Sequence, residues 1–436
     1  MEITIIKNKI MNQDLKNIKI MIEDYCSKNI NTSFNKENPQ IKLHEATFGA
    51  EEIFAATEVM MSTNVTMGNK VLNFENEFSS KFNIKNSIMN NSGSSANLLA
   101  VAALCNLEFK NHMHPGDEVI VPALSWSTTV WPLIQHGLVP VIVDINPNTL
   151  NIDVDLIEKS ITKKTRAIMP VHCYGNPCDL RTLLEICKKN NLFLIEDSCE
   201  SLGAKYEDKY IGTFGDVGTY SFYFSHHMTT FEGGISISNN DELSEIMRTL
   251  RAHGWLREVH NKDTVKKYAK EYPEFDPRFL FSNIGYNLRP TEMAGVVGSI
   301  QLKKLDQFVE SRRSSADYLK KLFLKYSDLF EIQHETKNAY HSWFGFPITI
   351  KEKANFSVNK IRKFFTENKI ETRPIICGNI SKQPAIKKYN HRVSGDLQYS
   401  NNIMNNGFAI ACHQSLCAES LDYIEAVLNK FISLNN

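Results

Sequence analysis

The sequence predicts an α/β protein, with a large domain built on a mostly parallel sheet followed by a smaller C-terminal α/β domain. Three observations carry this. Short, continuously apolar runs at 117–124 (DEVIVPAL), 139–145 (VPVIVDI), 166–175 (RAIMPVHCYG) and 192–198 (LFLIEDS) read as strands, and strands apolar on both sides belong to a sheet covered on both faces. Helical stretches such as 179–190 (DLRTLLEICKKN) separate them, giving the crossovers that parallel strands need. Past about Gly298 the pattern changes to a long helix (SIQLKKLDQFVESRRSSADYLKKLF), the strand-like FGFPITI and further helices.

In chain order, residues 1–40 read as an N-terminal extension, a helix followed by a polar linker (SKNINTSFNKENPQ). Residues 41–297 form the expected large domain and 298–436 the small one. A length of 436 residues suits two domains. No repeat or low-complexity array is visible.

Apolar residues make up 42% of the chain and the formal net charge is zero. No basic face points to nucleic acid or an anionic membrane. No run of about eighteen apolar residues suggests a membrane span, and the mixed-charge N-terminus does not resemble a secretory signal. The nine cysteines (Cys26, Cys105, Cys173, Cys178, Cys187, Cys199, Cys377, Cys412 and Cys417) have no framework spacing. They read as free thiols of a cytoplasmic protein rather than disulfides or metal ligands.

Three segments carry chemistry. In 90–104 (NNSGSSANLLAVAAL) small residues precede a helix; exposed N–H groups and the helix dipole there can hold an anion, so Gly93, Ser94 and Ser95 could cradle a phosphate, while a plain helix cap explains the run equally. In 192–204 (LFLIEDSCESLGA) Asp197 ends an apolar strand, where ligands bind in such sheets. It could pair with a protonated ring nitrogen or cap a helix; Glu200 follows closely. The third segment, 219–234 (TYSFYFSHHMTTFEGG), joins an aromatic strand to a loop ending Glu-Gly-Gly.

Together these runs resemble the nucleotide-sugar aminotransferases of pyridoxal-phosphate (PLP) fold type I, the aspartate-aminotransferase-like fold. Their SG(T/S)xAN-like, EDxAxxxGA and SFxxxKxxTxxEGG motifs follow in the same order, and the resemblance covers about 40–436. One position departs. The cofactor-binding lysine of the family falls on His226, and no lysine occurs from 210 through 261, so a small shift cannot restore it. A histidine here resembles the C3-dehydratase branch, which acts on GDP-linked 4-keto-6-deoxy sugars. LRAHGW (250–255), NIGYNLRPTEM (283–293), SWFGFPI (342–348) and RPIICGN (373–379) are similar to the same branch.

The resemblance implies roles. Gly93, Ser94 and Ser221 would hold the cofactor phosphate, Trp126 would stack on its ring, Asp197 would meet the ring nitrogen and Glu200 would sit near the ring hydroxyl. Asn287 would reach a phosphate in the neighbouring subunit, which implies a homodimer. His226 would be the acid/base, with an ordinary near-neutral pKa. His172, His227 and His253 lie near the motifs and read equally as satisfied polar residues. Without a lysine the cofactor would be held non-covalently, as pyridoxamine phosphate (PMP), and restored by L-glutamate. A second branch with this histidine uses an iron–sulfur cluster; the stretch 235–285 holds no cysteine to ligate one, so no metal is expected. The rival readings are an aminotransferase, which the missing lysine disfavours, and a non-catalytic sugar-nucleotide binder, which the retained site residues disfavour.

Overall fold

The computed structural model describes residues 2–30 and 32–435. Its main strands are β1 (Asn86–Asn90), β2 (Glu118–Pro122), β3 (Val139–Val143), β4 (Thr165–Ile168), β5 (Phe193–Asp197), β6 (Val217–Ser221), β7 (Gly234–Ser238), β8 (Phe330–Ile332), β9 (Phe346–Ile350), β10 (Arg392–Ser394) and β11 (Gly407–Ile410). Eight of them form one sheet in the order β1-β7-β6-β5-β4-β2-β3-β10. Every pairing from β6 to β10 is parallel, and β7 runs antiparallel to both its neighbours. The mostly parallel sheet expected from strand–helix alternation is therefore present.

The apolar runs become central strands because both faces are covered. Val119, Val121 and Ile142 pack under the helix Gly93–Leu104, and Ile120, Val141 and Val143 pack on the opposite side with Leu180 and Leu183 of the helix Leu180–Asn190. The run 166–175 is a strand only as far as Ile168. Pro170 has no N–H to donate, and Tyr174 and Gly175 take φ of 56° and 96°, so the chain turns away after one bridge from Val171 to Asp197.

The smaller layer is the antiparallel sheet β8-β9-β11, packed around Phe323, Phe346, Phe365 and Phe408 against the helices Val358–Glu367 and Ala418–Ser433. The division expected at 297/298 falls inside one continuous helix, Glu292–Leu324. Its first half buries Ala294, Leu302 and Leu305 against the large domain, and its second half buries Ala316, Leu319 and Phe323 in the small one. β10, from the small-domain segment, adds the strand beyond β3 to the large sheet. The N-terminal helix Glu2–Asn29 packs on the helix Ala50–Met61.

Candidate active site

β5 and β6 are parallel neighbours, so their carboxyl ends, Asp197 and Ser221, open side by side. Beyond them lies a cavity of about 370 Å³, a size suited to a small organic ligand. It is lined by Gly93, Ser94, Trp126, Asp197, Glu200, Ser221 and His226 among others. Seven of the eight site residues expected from sequence thus share one cavity.

Its anion corner is the start of the helix Gly93–Leu104. Ser92 caps that helix, its Oγ accepting from Ser95 N at 3.0 Å, and Gly93 lies against Ser221. The segment is thus both a capped helix start and a cavity wall. N–H groups of a helix's first turn have no intrahelical acceptor and favour an anion.

Asp197 starts no helix; turns follow it. Its Oδ2 accepts from Asn97 Nδ2 and Thr129 Oγ1, both at 2.8 Å, and its Oδ1 from Cys199 N at 3.2 Å. Asn97 is held in turn by Thr219 Oγ1 at 2.6 Å. Trp126 lines the same cavity and is 54% exposed, so it belongs to the mouth rather than the core. Glu200 accepts from Tyr174 N at 3.1 Å, and burial raises its pKa against the opposing pull of Arg373.

His226 sits in the loop between β6 and β7. Phe222 closes that loop, its N–H donating to Gly233 O at 2.9 Å and its carbonyl accepting from Thr230 N at 3.0 Å. His226 N donates to Tyr223 O at 2.9 Å. Its Nδ1 is buried without a hydrogen-bond partner among the described residues, whereas Nε2 is not among the buried unpartnered atoms. The near-neutral pKa expected from sequence is corrected here. Burial, then the charges of Arg373 and Arg312, push His226 down to about 3. The imidazole is therefore neutral at ordinary pH, and its protonated form is disfavoured.

Asn287 does not join this cavity. It is exposed, accepts from Arg289 Nε at 3.0 Å and bridges Ala252. The other histidines do not line the cavity either. His172 is buried against Glu196 at 3.2 Å and accepts from Cys178 N at 3.0 Å; His227 meets Ser342 O at 3.0 Å; His253 packs on Trp255.

Sequence reasoning missed several lining residues, among them Asn97, Thr129, Phe344 and Arg373. Asn97 was within reach, since it stands one helical turn after Gly93 and so shares its face. Thr129 carries no local signal; Phe344 and Arg373 stand in the runs SWFGFPI and RPIICGN that share the resemblance, but nothing local places them at the cavity, which they reach only through the domain packing.

An aromatic cofactor bearing a phosphate and a ring nitrogen needs an anion corner, a carboxylate and a flat apolar wall. The described residues supply all three. The residues fit the group. The pattern of the DegT/DnrJ/EryC1/StrS aminotransferase family matches residues 47–429.

The chain belongs to this family. Within it, the chain is 40% identical over 389 residues to a GDP-4-keto-6-deoxy-D-mannose 3-dehydratase of Yersinia pseudotuberculosis, covering 89% of this chain and 98% of that one. It is 38% identical over 372 residues to the lipopolysaccharide biosynthesis protein RfbH of Salmonella typhimurium, covering 83% and 85%. A crystal structure of GDP-4-keto-6-deoxymannose-3-dehydratase with a trapped PLP-glutamate geminal diamine superposes with a TM-score of 0.83 at 36% identity, covering 89% of this chain and all of that one. This family is therefore a PLP fold-type I family, as the motifs implied.

Proposed function

We propose that this protein is a PLP/PMP-dependent C3-dehydratase of a GDP-linked 4-keto-6-deoxy sugar, a hexose or a heptose, with L-glutamate regenerating the amine form of the cofactor. It serves dideoxysugar synthesis for surface polysaccharide. The observation that carries this reading is the residue at the lysine position: His226 reaches the cavity and no lysine among the described residues lines it. An imidazole can move a proton but cannot tether an aldehyde, so the residues present favour elimination over transamination.

Gly93, Ser94 and Ser221 would hold the cofactor phosphate, Asp197 the ring nitrogen and Trp126 the ring face, with Glu200 near the ring hydroxyl. PMP, when bound, supplies an amine for the 4-keto carbon and a ring that takes up electron density. His226 then does the proton work. Its neutral imidazole accepts a proton through Nε2, and the imidazolium so formed, disfavoured by burial and by Arg373, is a strong donor to the departing C3 hydroxyl. Arg373 makes no salt bridge among the described residues and packs over the rings of Tyr174 and Phe344, which touch each other; its charge suits an anionic group of donor or substrate. Asn287, exposed beside Arg289, fits a role across a homodimer interface. No helix among the described residues is long and apolar enough to cross a membrane, and the free cysteines suit a cytoplasmic enzyme.

The test is to incubate the purified protein with PLP, L-glutamate and GDP-4-keto-6-deoxymannose. Loss of the C3 hydroxyl with release of ammonia and 2-oxoglutarate is expected. A stable 4-amino sugar would assign the protein as an aminotransferase, and binding without turnover would make it a sugar-nucleotide binder.

A further inference from the structure

His226 lacks the device that usually aims a proton-transferring histidine. An acceptor on the second ring nitrogen commonly sets tautomer and orientation, but here Nδ1 is buried with no partner among the described residues. What surrounds the imidazole is aromatic. Phe344 lies 4.9 Å away, centroid to centroid, at 52°, and Tyr223 lies 5.9 Å away, edge-on at 84°.

Phe344 is itself held rigidly. It is 9% exposed. Its N–H donates to Tyr174 O at 2.7 Å, and its carbonyl accepts from Arg312 Nη1 at 3.2 Å. The same guanidinium nitrogen takes Trp343 O at 3.1 Å and Cys412 O at 2.7 Å. Arg312 forms no ion pair among the described residues; its Nη1 and Nη2 donate to carbonyl oxygens, one of them that of Phe344, while its Nε is buried without a partner among the described residues. The loop also depends on Gly175, since a Cβ there would come within 2.7 Å of Trp343 N.

We infer that Phe344 is the positioning residue for His226: its ring aims the imidazole by packing, in place of a hydrogen bond, and keeps water from Nδ1. The inference rests on the reading of His226 as the proton carrier. Aromatic contacts of this kind have preferred geometry and so restrict a neighbour's rotamer. Phe344 also stands against Arg373, whose Cζ is 5.5 Å from its ring centre. The charged and titratable groups facing His226 are then Arg373, Arg312 and His227, with Asp197, Glu200 and Glu232 lining the same cavity.

The test compares Phe344→Leu, which keeps apolar bulk without a flat ring, with Phe344→Tyr, which keeps the ring. Phe344→Leu is expected to lower kcat about ten- to a hundredfold, as misplacement of a catalytic group does, while KM for the sugar nucleotide stays within about twofold. Phe344→Tyr should recover most of kcat. Side-chain nitrogen NMR of the cofactor-free protein supplies a second readout. In Phe344→Leu, His226 should protonate at higher pH than in the wild type, because water reaches the ring. Wild-type turnover and titration in Phe344→Leu would overturn the inference, as would an equal loss in Phe344→Tyr. If Phe344→Leu does not fold, Phe344→Met takes its place. If the wild type itself does not dehydrate the sugar, the proposed function fails, while the titration comparison still decides whether Phe344 governs His226.

Discussion

Gly93 and Ser221 share one point of contact at the head of the cavity: a Cβ on Gly93 would lie 2.4 Å from Ser221 Cβ and 2.8 Å from its Oγ. A residue with any side chain at 93 must displace the serine that would hold the phosphate. Gly93→Ala is therefore expected to weaken PMP binding about tenfold or more, equal to about 1.4 kcal/mol. Titration of the cofactor-free protein, followed by cofactor absorbance, checks it; unchanged affinity would remove Ser221 from the phosphate site.

His226→Asn should leave the binding of PMP and sugar nucleotide intact and cut single-turnover loss of the C3 hydroxyl by about a hundred- to ten-thousandfold, the usual worth of a positioned acid/base. Near wild-type turnover would make another residue the base. In the same experiment, borohydride treatment of the wild type with PLP should leave the denatured chain unlabelled, since no lysine among the described residues lines the cavity.

Asn97 joins Asp197 to Thr219 through two short hydrogen bonds inside the large domain. Asn97→Ala leaves buried polar groups unpaired, at a cost of about 1–3 kcal/mol. Chemical denaturation should show that loss, and cofactor affinity should fall with it because Asp197 loses one of its anchors.

Acid should destabilise the fold earlier than carboxylate titration alone would. Burial holds His226 and His413 down to about 3, and His227 and His341 well below the ordinary value. The unfolded chain, with histidines near 6.5, binds more protons than the fold between about pH 3 and 6.5. Stability is thus fully present above about pH 6.5 and drains as pH falls. The Tm should drop by roughly 5 °C or more from pH 7 to pH 5. A flat Tm across that range would mean these histidines are not buried neutral.

Turnover should survive chelators and show no dependence on iron. No group of three or more His, Cys, Asp or Glu suited to a metal occurs among the described residues. Iron in stoichiometric amount in active protein would contradict this expectation.

Local pattern was enough for much of this protein. Apolar runs separated by helices announced a covered parallel sheet, because strands buried on both faces leave no polar alternation. Asp197 at a strand end and Gly93 before a helix marked the cavity, because strand ends and helix starts expose the groups that bind ligands. The resemblance that sets His226 at the family's lysine position, with no lysine from 210 through 261 to replace it, implied the chemistry. What sequence could not supply depends on distance along the chain. Phe344 and Arg373 reach His226 only once the small domain docks, and Arg312, in the middle of a long helix, holds the loop that carries Phe344. The protonation of His226 was misjudged for the same reason. A side chain's pKa follows its desolvation and its charged neighbours, and neither exists until His226 is packed with residues as remote in sequence as Arg312 and Arg373.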